Sequence, residues 1–209
     1  MTVKLWLARH GRTAWNAEGR IQGQVDLPLD EMGRQQAHHV AERLKNVAVA
    51  AIYSSPLQRA RQTAEMIGAA LNLPVAFDDR LKEYDFGVLS GLTWADVVAQ
   101  HPKLAQRWAD DIWSVPIEGS EGRAAFHSRI AVAMQTIAAV HDQQQVVVVA
   151  HGGAFAAYLT ALLNLDVNRR HPFHFANASL SVIEIDERLI GINVLNDTCH
   201  LNGGHEFER

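Results

Sequence analysis

The sequence contains a single cysteine, Cys199, among its 209 residues. One thiol cannot form an intramolecular disulfide, and the sequence therefore favours a reducing compartment. A long apolar run is also missing, because the N-terminal stretch VKLWLA is followed at once by Arg9, His10, Gly11 and Arg12. That stretch is too short for the apolar core of a signal peptide or for a membrane span. These absences predict a cytoplasmic protein with no membrane partner.

An excess of positive charge is lacking as well. The 19 Lys and Arg residues are outnumbered by 23 Asp and Glu residues, which gives a formal net charge of −4. The chain as a whole therefore lacks the basic character typical of nucleic-acid-binding domains, and we expect no nucleic-acid partner. An anion would have to be bound in a local pocket. The length of the chain predicts one domain over residues 1–209.

Apolar strands alternate with amphipathic helices along the chain. The clearest strands are residues 3–8 and the β-branched run VVVV at 146–149, which is typical of a central strand covered on both faces. We also predict strands at 50–55, 75–77, 180–186 and 188–195, and helices at 33–45, 56–72, 121–142 and 154–165. This alternation predicts an α/β fold, a three-layer α/β/α sandwich with a mostly parallel central sheet.

The hydrophobic periodicity weakens between residues 93 and 122. Short helices and loops are expected there, and the segment contains Trp94, Trp108 and Trp113. We interpret it as a cap-like insertion over the functional site, in which the tryptophans pack. An aromatic cluster at that place would shape the choice of substrate.

Three of the predicted strands are followed by polar residues of similar character. The first strand leads into Arg-His-Gly at 9–11, the second is followed by Arg59 at the start of a helix, and VVVV leads into Ala-His-Gly-Gly at 150–153. The carboxyl ends of parallel strands meet at one edge of a sheet, where helices begin. Helix N-termini and guanidinium groups both favour anions, and the planar fork of arginine suits phosphate. The sequence therefore predicts a phosphate site.

A histidine beside a bound phosphate can act as a base, a metal ligand or a nucleophile. A metal site would need a third ligand and nearby carboxylates, and no such spacing occurs at these strand ends, so we predict no metal. A neutral imidazole can instead attack phosphorus and divide the reaction into two steps. An acid must then protonate the leaving oxygen, for which Glu83 is the best candidate. Geometry alone leaves four other carboxylates open: Glu65, Asp78, Asp79 and Asp85.

Five ordered motifs can be matched to a known family. RHGRTAWN, GRIQGQVDLPLDEMGRQQA, YSSPLQRARQTA, KEYDFGVLSG and VVVVAHGG together resemble the histidine phosphatase superfamily, the phosphoglycerate-mutase-like proteins. The closing LNDTCHL is similar to the C-terminal end of the bacterial branch of broad-specificity and alpha-ribazole phosphatases. The motifs extend over most of the chain, so the resemblance is specific.

The resemblance implies a role for each matched residue. His10 would be the nucleophile that becomes phosphohistidine, and Glu83 would be the proton donor. Arg9, Arg59 and His151 would complete the phosphate pocket.

Further residues fall where family members contact the phosphate or the substrate. These are Asn16, Gln22 and Gly23, together with Gly152, whose backbone N–H would approach the phosphate. The resemblance implies no metal or organic cofactor and a small phosphorylated metabolite as the partner. The sequence leaves a homodimer open.

The sequence favours a phosphatase over a mutase. The chain is shorter than typical mutases of the family. After Glu83 it reads Tyr-Asp-Phe-Gly where mutases tend to read Arg-His-Tyr-Gly, and after His151 it reads Gly-Gly-Ala where they tend to read Gly-Asn-Ser. One departure from the phosphatase branch is Leu89-Ser90, where Trp-Glu is usual, which would alter the rim of the pocket.

Two alternatives stay open. One is a cofactor-dependent phosphoglycerate mutase, and the other is a non-catalytic protein that binds a phosphorylated ligand. The presence of His10, Glu83 and His151 argues against the second, because a protein that only binds has no need of an acid.

Two further groups of residues are expected to have no part in the chemistry. Arg12 and Arg61 are predicted to be solvated or paired with nearby carboxylates. The C-terminal Cys199, His200 and His205 match no usual zinc spacing, and we interpret this segment as a frayed tail.

Overall fold

The computed structural model of the protein describes residues 2–111, 115–167 and 173–201. The strands are β1 (Val3–Arg9), β2 (Val49–Ser54), β3 (Val75–Phe77), β4 (Gln144–Ala150), β5 (Leu180–Ile185) and β6 (Ile190–Asp197). They form one sheet in the order β3-β2-β4-β1-β5-β6.

Helices connect most of the strands. They are α1 (Ala14–Ala17), α2 (Glu31–Leu44), α3 (Gln58–Leu71), α4 (Trp94–Gln100), α5 (Pro102–Asp111), α6 (Arg123–Ala139) and α7 (Gly152–Leu162). Two short 3₁₀ turns, Asp79–Leu81 and Gly87–Leu89, lie between β3 and α4. No helix in the described ranges is long and apolar enough to cross a membrane.

The sheet is mostly parallel, as predicted. Strands β1, β4, β2 and β3 run in the same direction, whereas β5 pairs antiparallel with β1 and β6 pairs antiparallel with β5. Arg9 lies opposite Ala150, and Ser54 lies opposite Val149, so β1, β4 and β2 end almost level. The residues that follow these three strands therefore meet at one edge of the sheet.

Helices cover the sheet on both faces. On one face, Leu5 and Leu7 of β1 and Val146 of β4 pack with residues of α6 and α7. On the other face, Ala8 and Val147 pack with residues of α2 and α3. All five side chains are fully buried, which explains why β1 and β4 read as continuous apolar runs. The three-layer α/β/α sandwich is confirmed.

Several helix boundaries differ from the prediction. Pro56 lies outside α3, because the helix begins at Gln58 with the extended Leu57 as its N-cap residue. The helix predicted over 121–142 is shorter, because α6 spans Arg123–Ala139 and Val140 is its C-cap residue, 65% exposed. Helix α7 begins two residues earlier than expected, so Gly152 and Gly153 belong to its first turn.

The segment from residue 93 to 122 contains the expected short helices. A small apolar cluster there joins Val97, Ala105 and Ile117 to Leu89, separate from the two cores of the sheet. Trp94 is 46% exposed, and the packing of the tryptophans stays a prediction. The side chain of Trp108 and the whole of Trp113 lie outside the description. That the segment caps the site stays a prediction.

Candidate active site

His10 directly follows β1 and is buried, with 3% of its surface exposed. Its Nδ1 lies 2.7 Å from the carbonyl oxygen of Gly11. A carbonyl oxygen can only accept, so Nδ1 carries the proton and donates it. In the neutral ring this leaves a lone pair on Nε2, so Nε2 is the ring atom that is able to act as a nucleophile.

The surroundings of His10 keep its ring neutral. Burial lowers the pKa of His10 well below its ordinary value of 6.5, and the charges of Arg59 and Arg9 lower this pKa further. A neutral imidazole is the nucleophilic form, because protonation removes the lone pair. The ring is therefore ready to react near neutral pH.

A second histidine lies against the first. His151 is the N-cap residue of α7, and its ring centroid is 5.2 Å from that of His10. The Nε2 of His151 and the Oγ of Ser55 form a hydrogen bond of 2.8 Å, which fixes the ring. Burial, followed by the charge of Arg59, lowers the pKa of His151 well below its ordinary value.

Arg59 lies in the first turn of α3 and is 1% exposed. Its Nη1 donates to the carbonyl oxygen of Val25 at 2.8 Å, and its Nη2 donates to that of Gly23 at 2.7 Å. Within the described part of the chain, Nε of Arg59 has no hydrogen-bond partner. Burial lowers the pKa of Arg59 to about 10. The guanidinium is held by neutral carbonyl groups, so a bound anion would stabilise it.

The second guanidinium belongs to Arg9, the last residue of β1. Its Nη1 donates to the carbonyl oxygen of Phe175. A Cβ placed on Gly152 would lie 3.6 Å from Nε of Arg9, so the side chain packs against the N-terminus of α7. The structure thus brings together two histidines, two arginines and a helix N-terminus, as the sequence predicts.

Glu83 is held at the same helix N-terminus. Its Oε1 accepts the backbone N–H of Tyr84 at 2.8 Å, and its Oε2 accepts that of Gly153 at 2.9 Å. These hydrogen bonds fix both carboxylate oxygens beside the first turn of α7, next to Gly152. The carboxylate therefore borders the pocket formed by the histidines and arginines.

The other candidate acids are engaged elsewhere. Asp78 pairs with Arg80 at 2.7 Å, Asp79 with Lys82 at 3.1 Å, and Glu65 with Arg61 at 3.4 Å. Asp85 accepts the backbone N–H of Gly87 at 2.9 Å. Glu83 is the candidate that the structure brings to α7.

Gly153 has a role that the sequence reasoning missed. A Cβ at this position would lie 2.3 Å from Oε1 of Glu83, far inside van der Waals contact. Only glycine allows the carboxylate to approach the helix N-terminus this closely. The signal in the sequence is the second glycine of the Gly-Gly pair after His151, for which the sequence analysis gives no role beyond a departure from the mutases.

A pair of charged residues that sequence reasoning also missed supports the Glu83 segment. Arg129 of α6 donates from Nε and Nη2 to the two carboxylate oxygens of Glu121, at 2.7 and 2.6 Å. The same guanidinium donates to the carbonyl oxygens of Arg80, Lys82 and Glu83. We call this pair the Glu121–Arg129 clamp. It connects α6 to the chain that carries the carboxylate.

Asn16 is fixed by its neighbours. Its Oδ1 accepts the backbone N–H of Thr13 at 3.1 Å and the amide of Asn177 at 3.2 Å. Together with the Thr13 side chain it forms a capping box for α1. The amide nitrogen of Asn16 is the part of the side chain that can donate to a ligand.

The carbonyl oxygen of Gly23 accepts a hydrogen bond from Nη2 of Arg59. The φ of Gly23, 54°, lies in the left-handed region, and a Cβ there would lie 3.2 Å from the backbone nitrogen of Phe86. The adjacent Gln22 has a buried Oε1 that lacks a hydrogen-bond partner among the described residues. Direct contacts of Gln22 and Gly23 with a substrate stay predictions.

The structure also shows the surroundings of Arg12, Arg61 and part of the C-terminal segment. These residues are expected to take no part in the chemistry. Arg12 pairs with Asp30 at 2.8 Å and Arg61 with Glu65, which confirms their pairing with carboxylates. His200 is hydrogen-bonded at 2.9 Å to the carbonyl oxygen of Ala178. His205 lies outside the described residues. Among the residues that are described, no group of three or more His, Cys, Asp or Glu side chains could hold a metal ion.

Comparison with known proteins identifies the family. The family model of the histidine phosphatase superfamily (branch 1) matches residues 5–198. The chain belongs to the histidine phosphatase superfamily.

Relatives from this superfamily match along nearly the whole chain. Phosphoserine phosphatase 1 of Hydrogenobacter thermophilus is 39% identical over 199 residues, covering 95% of this chain and 94% of that protein. A Yersinia pestis protein named "Probable phosphoglycerate mutase GpmB" is 32% identical over 205 residues. The match covers 96% of this chain and 95% of the Yersinia protein.

A solved structure agrees with the fold. The mycobacterial glucosyl-3-phosphoglycerate phosphatase in complex with VO3 superimposes with a TM-score of 0.84 at 34% identity. The match covers 93% of this chain and 99% of that one. Relatives and structure together support a phosphatase of the histidine phosphatase superfamily.

Proposed function

We propose that the protein hydrolyses small phosphomonoesters in two steps, through a phosphohistidine formed on His10. The observation that carries this proposal is the state of the His10 ring. Nδ1 is committed to the carbonyl oxygen of Gly11, and burial beside Arg59 and Arg9 keeps the ring neutral. Nε2 is therefore a nucleophile in a pocket that favours phosphate.

In the first step, Nε2 of His10 attacks phosphorus, and the bond from phosphorus to the alcohol oxygen breaks. Protonated Glu83 gives its proton to the departing oxygen, so the alcohol leaves as a neutral molecule and Glu83 becomes a carboxylate. In the second step, Glu83 takes a proton from water, whose oxygen attacks phosphorus. The bond to Nε2 breaks, phosphate leaves, and its electron pair returns to His10.

The arginines and the N-terminus of α7 act on the charge of the transferring group. Phosphoryl transfer needs mainly positioning and electrostatic stabilisation, because the charge spreads over the phosphoryl oxygens. Arg59 is buried and Arg9 is partly buried, so their attraction to an anion is less screened by water than at the surface. The N-terminus of α7 adds the backbone N–H of Gly152 to the same pocket.

Release of phosphate from para-nitrophenyl phosphate tests this proposal. The assay is run between about pH 5 and 8, which brackets histidine titration, in excess EDTA. We expect release by the parent and none by His10→Ala, with an acid-labile phosphoryl group trapped on the parent alone. His38→Ala serves as the matched control, because the side chain of His38 is 63% exposed on α2.

The outcomes separate the alternatives. Undiminished release by His10→Ala, or loss of release in EDTA, would overturn the proposed mechanism. Absence of hydrolysis together with interconversion of phosphoglycerates would point to the mutase that the Yersinia relative is named for. Phosphate binding without a trapped intermediate would indicate a binding protein.

A further inference from the structure

Gln36 lies on α2, and its side chain reaches the loop that follows His10. Its Oε1 accepts the backbone N–H of Arg12 at 2.8 Å. That N–H and the carbonyl group of Gly11 belong to one planar trans peptide, so they point in opposite directions. The carbonyl oxygen of this peptide is the atom that lies 2.7 Å from Nδ1 of His10. Gln36 is therefore separated from the His10 ring by a single peptide group.

The direction of this peptide depends on what holds its N–H group. Its carbonyl end meets the same ring that it orients, so that contact gives no independent support. Its N–H end is held by Gln36. Gly11 lacks a side chain, so its backbone restricts the direction of the carbonyl group less than another residue would. Donation to Gln36 also polarises the peptide, which makes its carbonyl oxygen a stronger acceptor.

The preceding peptide, between His10 and Gly11, is held at both ends. Its N–H donates to Oγ1 of Thr63 at 3.1 Å, and its carbonyl oxygen accepts the backbone N–H of Ala178 at 3.0 Å. The side-chain amide of Asn177 donates to the same oxygen at 3.2 Å. Loss of one of these hydrogen bonds leaves the others in place. The two peptides on either side of Gly11 therefore differ in how much each depends on a single side chain.

Helix α2 is fixed against the same loop, which brings Gln36 to a defined place. A Cβ on Gly11 would collide with the carbonyl oxygen of Gly33, so the two backbones touch directly. The backbone N–H of Asp30, the N-cap residue of α2, donates to the carbonyl oxygen of Arg12 at 3.0 Å. Gln36 follows Gly33 by three residues and therefore lies on the same face of the helix.

We propose that Gln36 is a positioning residue for His10, because it holds the peptide whose carbonyl group keeps the ring proton on Nδ1. The other tautomer carries its proton on Nε2, the atom that attacks phosphorus in the proposed mechanism, and that tautomer has no lone pair there. The effect on rate rests on the proposed phosphatase function. The position of the ring proton can be measured without any reaction.

Replacement of Gln36 by methionine tests the inference, because Gln36→Met keeps the length of the side chain and removes the acceptor. The burst of para-nitrophenol in the first turnover measures the attack on phosphorus. We expect its rate to fall by roughly three- to thirtyfold, as a lost hydrogen bond and a misaligned ring would cause. Gln36→Glu keeps an acceptor oxygen, so its rate should stay within about threefold of the parent.

Gln35→Met is the matched control. Gln35 is the neighbouring residue of α2, is exposed, and donates to Glu31 instead of reaching the loop. Its rate should stay within about twofold of the parent. Gln36→Asn answers the same question if Gln36→Met does not fold, because the shorter side chain keeps the amide but withdraws the acceptor from Arg12.

Nitrogen-15 NMR of the His10 ring is the readout that a purely structural role would leave unchanged. The signal is assigned by its loss in His10→Ala. In the parent without substrate we expect the proton on Nδ1, and in Gln36→Met a larger share of rings should carry it on Nε2. Thr63→Val removes a fully buried hydroxyl from the peptide that Ala178 also holds. It should lower Tm and leave the ring proton in place.

The outcomes distinguish this inference from the proposed function. An unchanged ring proton in Gln36→Met would overturn the positioning role while hydrolysis stands, and so would a change of equal size in Gln35→Met or Thr63→Val. A parent that releases no phosphate from para-nitrophenyl phosphate would overturn the proposed function. The ring spectra of the parent and Gln36→Met would then uphold or overturn the role of Gln36 on their own.

Discussion

The backbone N–H of Gly153 donates to Oε2 of Glu83 at 2.9 Å, and no side chain fits between these two residues. In Gly153→Ala the new Cβ would push the carboxylate away from the helix. We expect kcat for an alkyl phosphate to fall by roughly ten- to a hundredfold, because a poor leaving group depends on the proton. The loss on para-nitrophenyl phosphate should stay within about threefold.

The matching variant is Glu83→Gln. Its kcat should also fall more for an alkyl phosphate, which has a poor leaving group, than for para-nitrophenyl phosphate. Thermal unfolding of both variants checks that the fold is retained. Equal losses on both types of substrate would count against Glu83 as the acid and against the role of Gly153.

The Glu121–Arg129 clamp should affect both stability and rate. In Glu121→Gln, Arg129 loses the negative charge of its partner and one of its two acceptor oxygens, in a largely buried setting. We expect the free energy of unfolding to fall by about 1–3 kcal/mol. The rate on alkyl phosphates should fall more than that on aryl phosphates, since the segment that carries Glu83 is loosened.

Urea unfolding and kcat on the two substrate types measure these effects. Glu184→Gln, which removes an exposed pair with Lys4, serves as control and should change the free energy of unfolding by less than about 0.5 kcal/mol. Lost stability without a dependence on the leaving group would show that the clamp is structural only.

Arg59 should make the protein sensitive to anions. Burial lowers the pKa of Arg59 to about 10, so its charge is costly in the folded protein until an anion binds. A ligand at a hundred times its Kd stabilises the folded state by about 2.7 kcal/mol, and vanadate should therefore raise Tm in the parent.

The comparison is with Arg59→Lys, which keeps the charge but cannot present two parallel donors. Its Tm should rise much less at the same vanadate concentration. A shift equal to that of the parent would mean that Arg59 does not bind the anion.

Stability should also fall in mild acid because of the two histidines. Burial lowers the pKa of both His10 and His151 in the folded state, whereas the unfolded chain protonates them near 6.5. Their contribution is therefore fully present above pH 6.5 and is lost as the pH falls towards the folded-state values. Each buried histidine can add about 1.4 kcal/mol per pH unit to this slope.

Urea unfolding at several pH values between about 7.5 and 5 measures the slope. His10→Gln should reduce this slope by up to the contribution of one proton, about 1.4 kcal/mol per pH unit. This holds whatever the effect of the substitution on stability at pH 7.5. His38→Ala, on the surface of α2, should leave the slope unchanged. An unchanged slope in His10→Gln would mean that His10 is protonated in the folded protein.

The sequence predicts those parts of the fold that depend on a local pattern. The apolar runs of β1 and β4 mark central strands because both faces of each strand are buried. The predicted end of α6 at residue 142 is wrong, because the apolar Val140 continues the periodicity although the helix ends at Ala139. Helix boundaries depend on backbone contacts that the periodicity does not contain.

The parts of the site that sequence reasoning missed depend on contacts between distant segments. Arg129 donates to carbonyl oxygens at residues 80–83, and a carbonyl group has no signature in the sequence. Glu121 and Arg129 lie eight residues apart, outside the spacing at which side chains of one helix face each other. The role of Gly153 depends on the approach of Glu83 from another loop.

The order of the strands has a consequence for the synthesis of the protein. β1, which leads to His10, is made first, but it lies between β4 and β5. Val3 pairs with Gln144 on one side and with Ile185 on the other, so β1 has no place in the sheet until most of the chain has left the ribosome. A nascent chain therefore carries β1 as an unpaired apolar strand, and His10 reaches its place beside His151 only when translation is nearly complete.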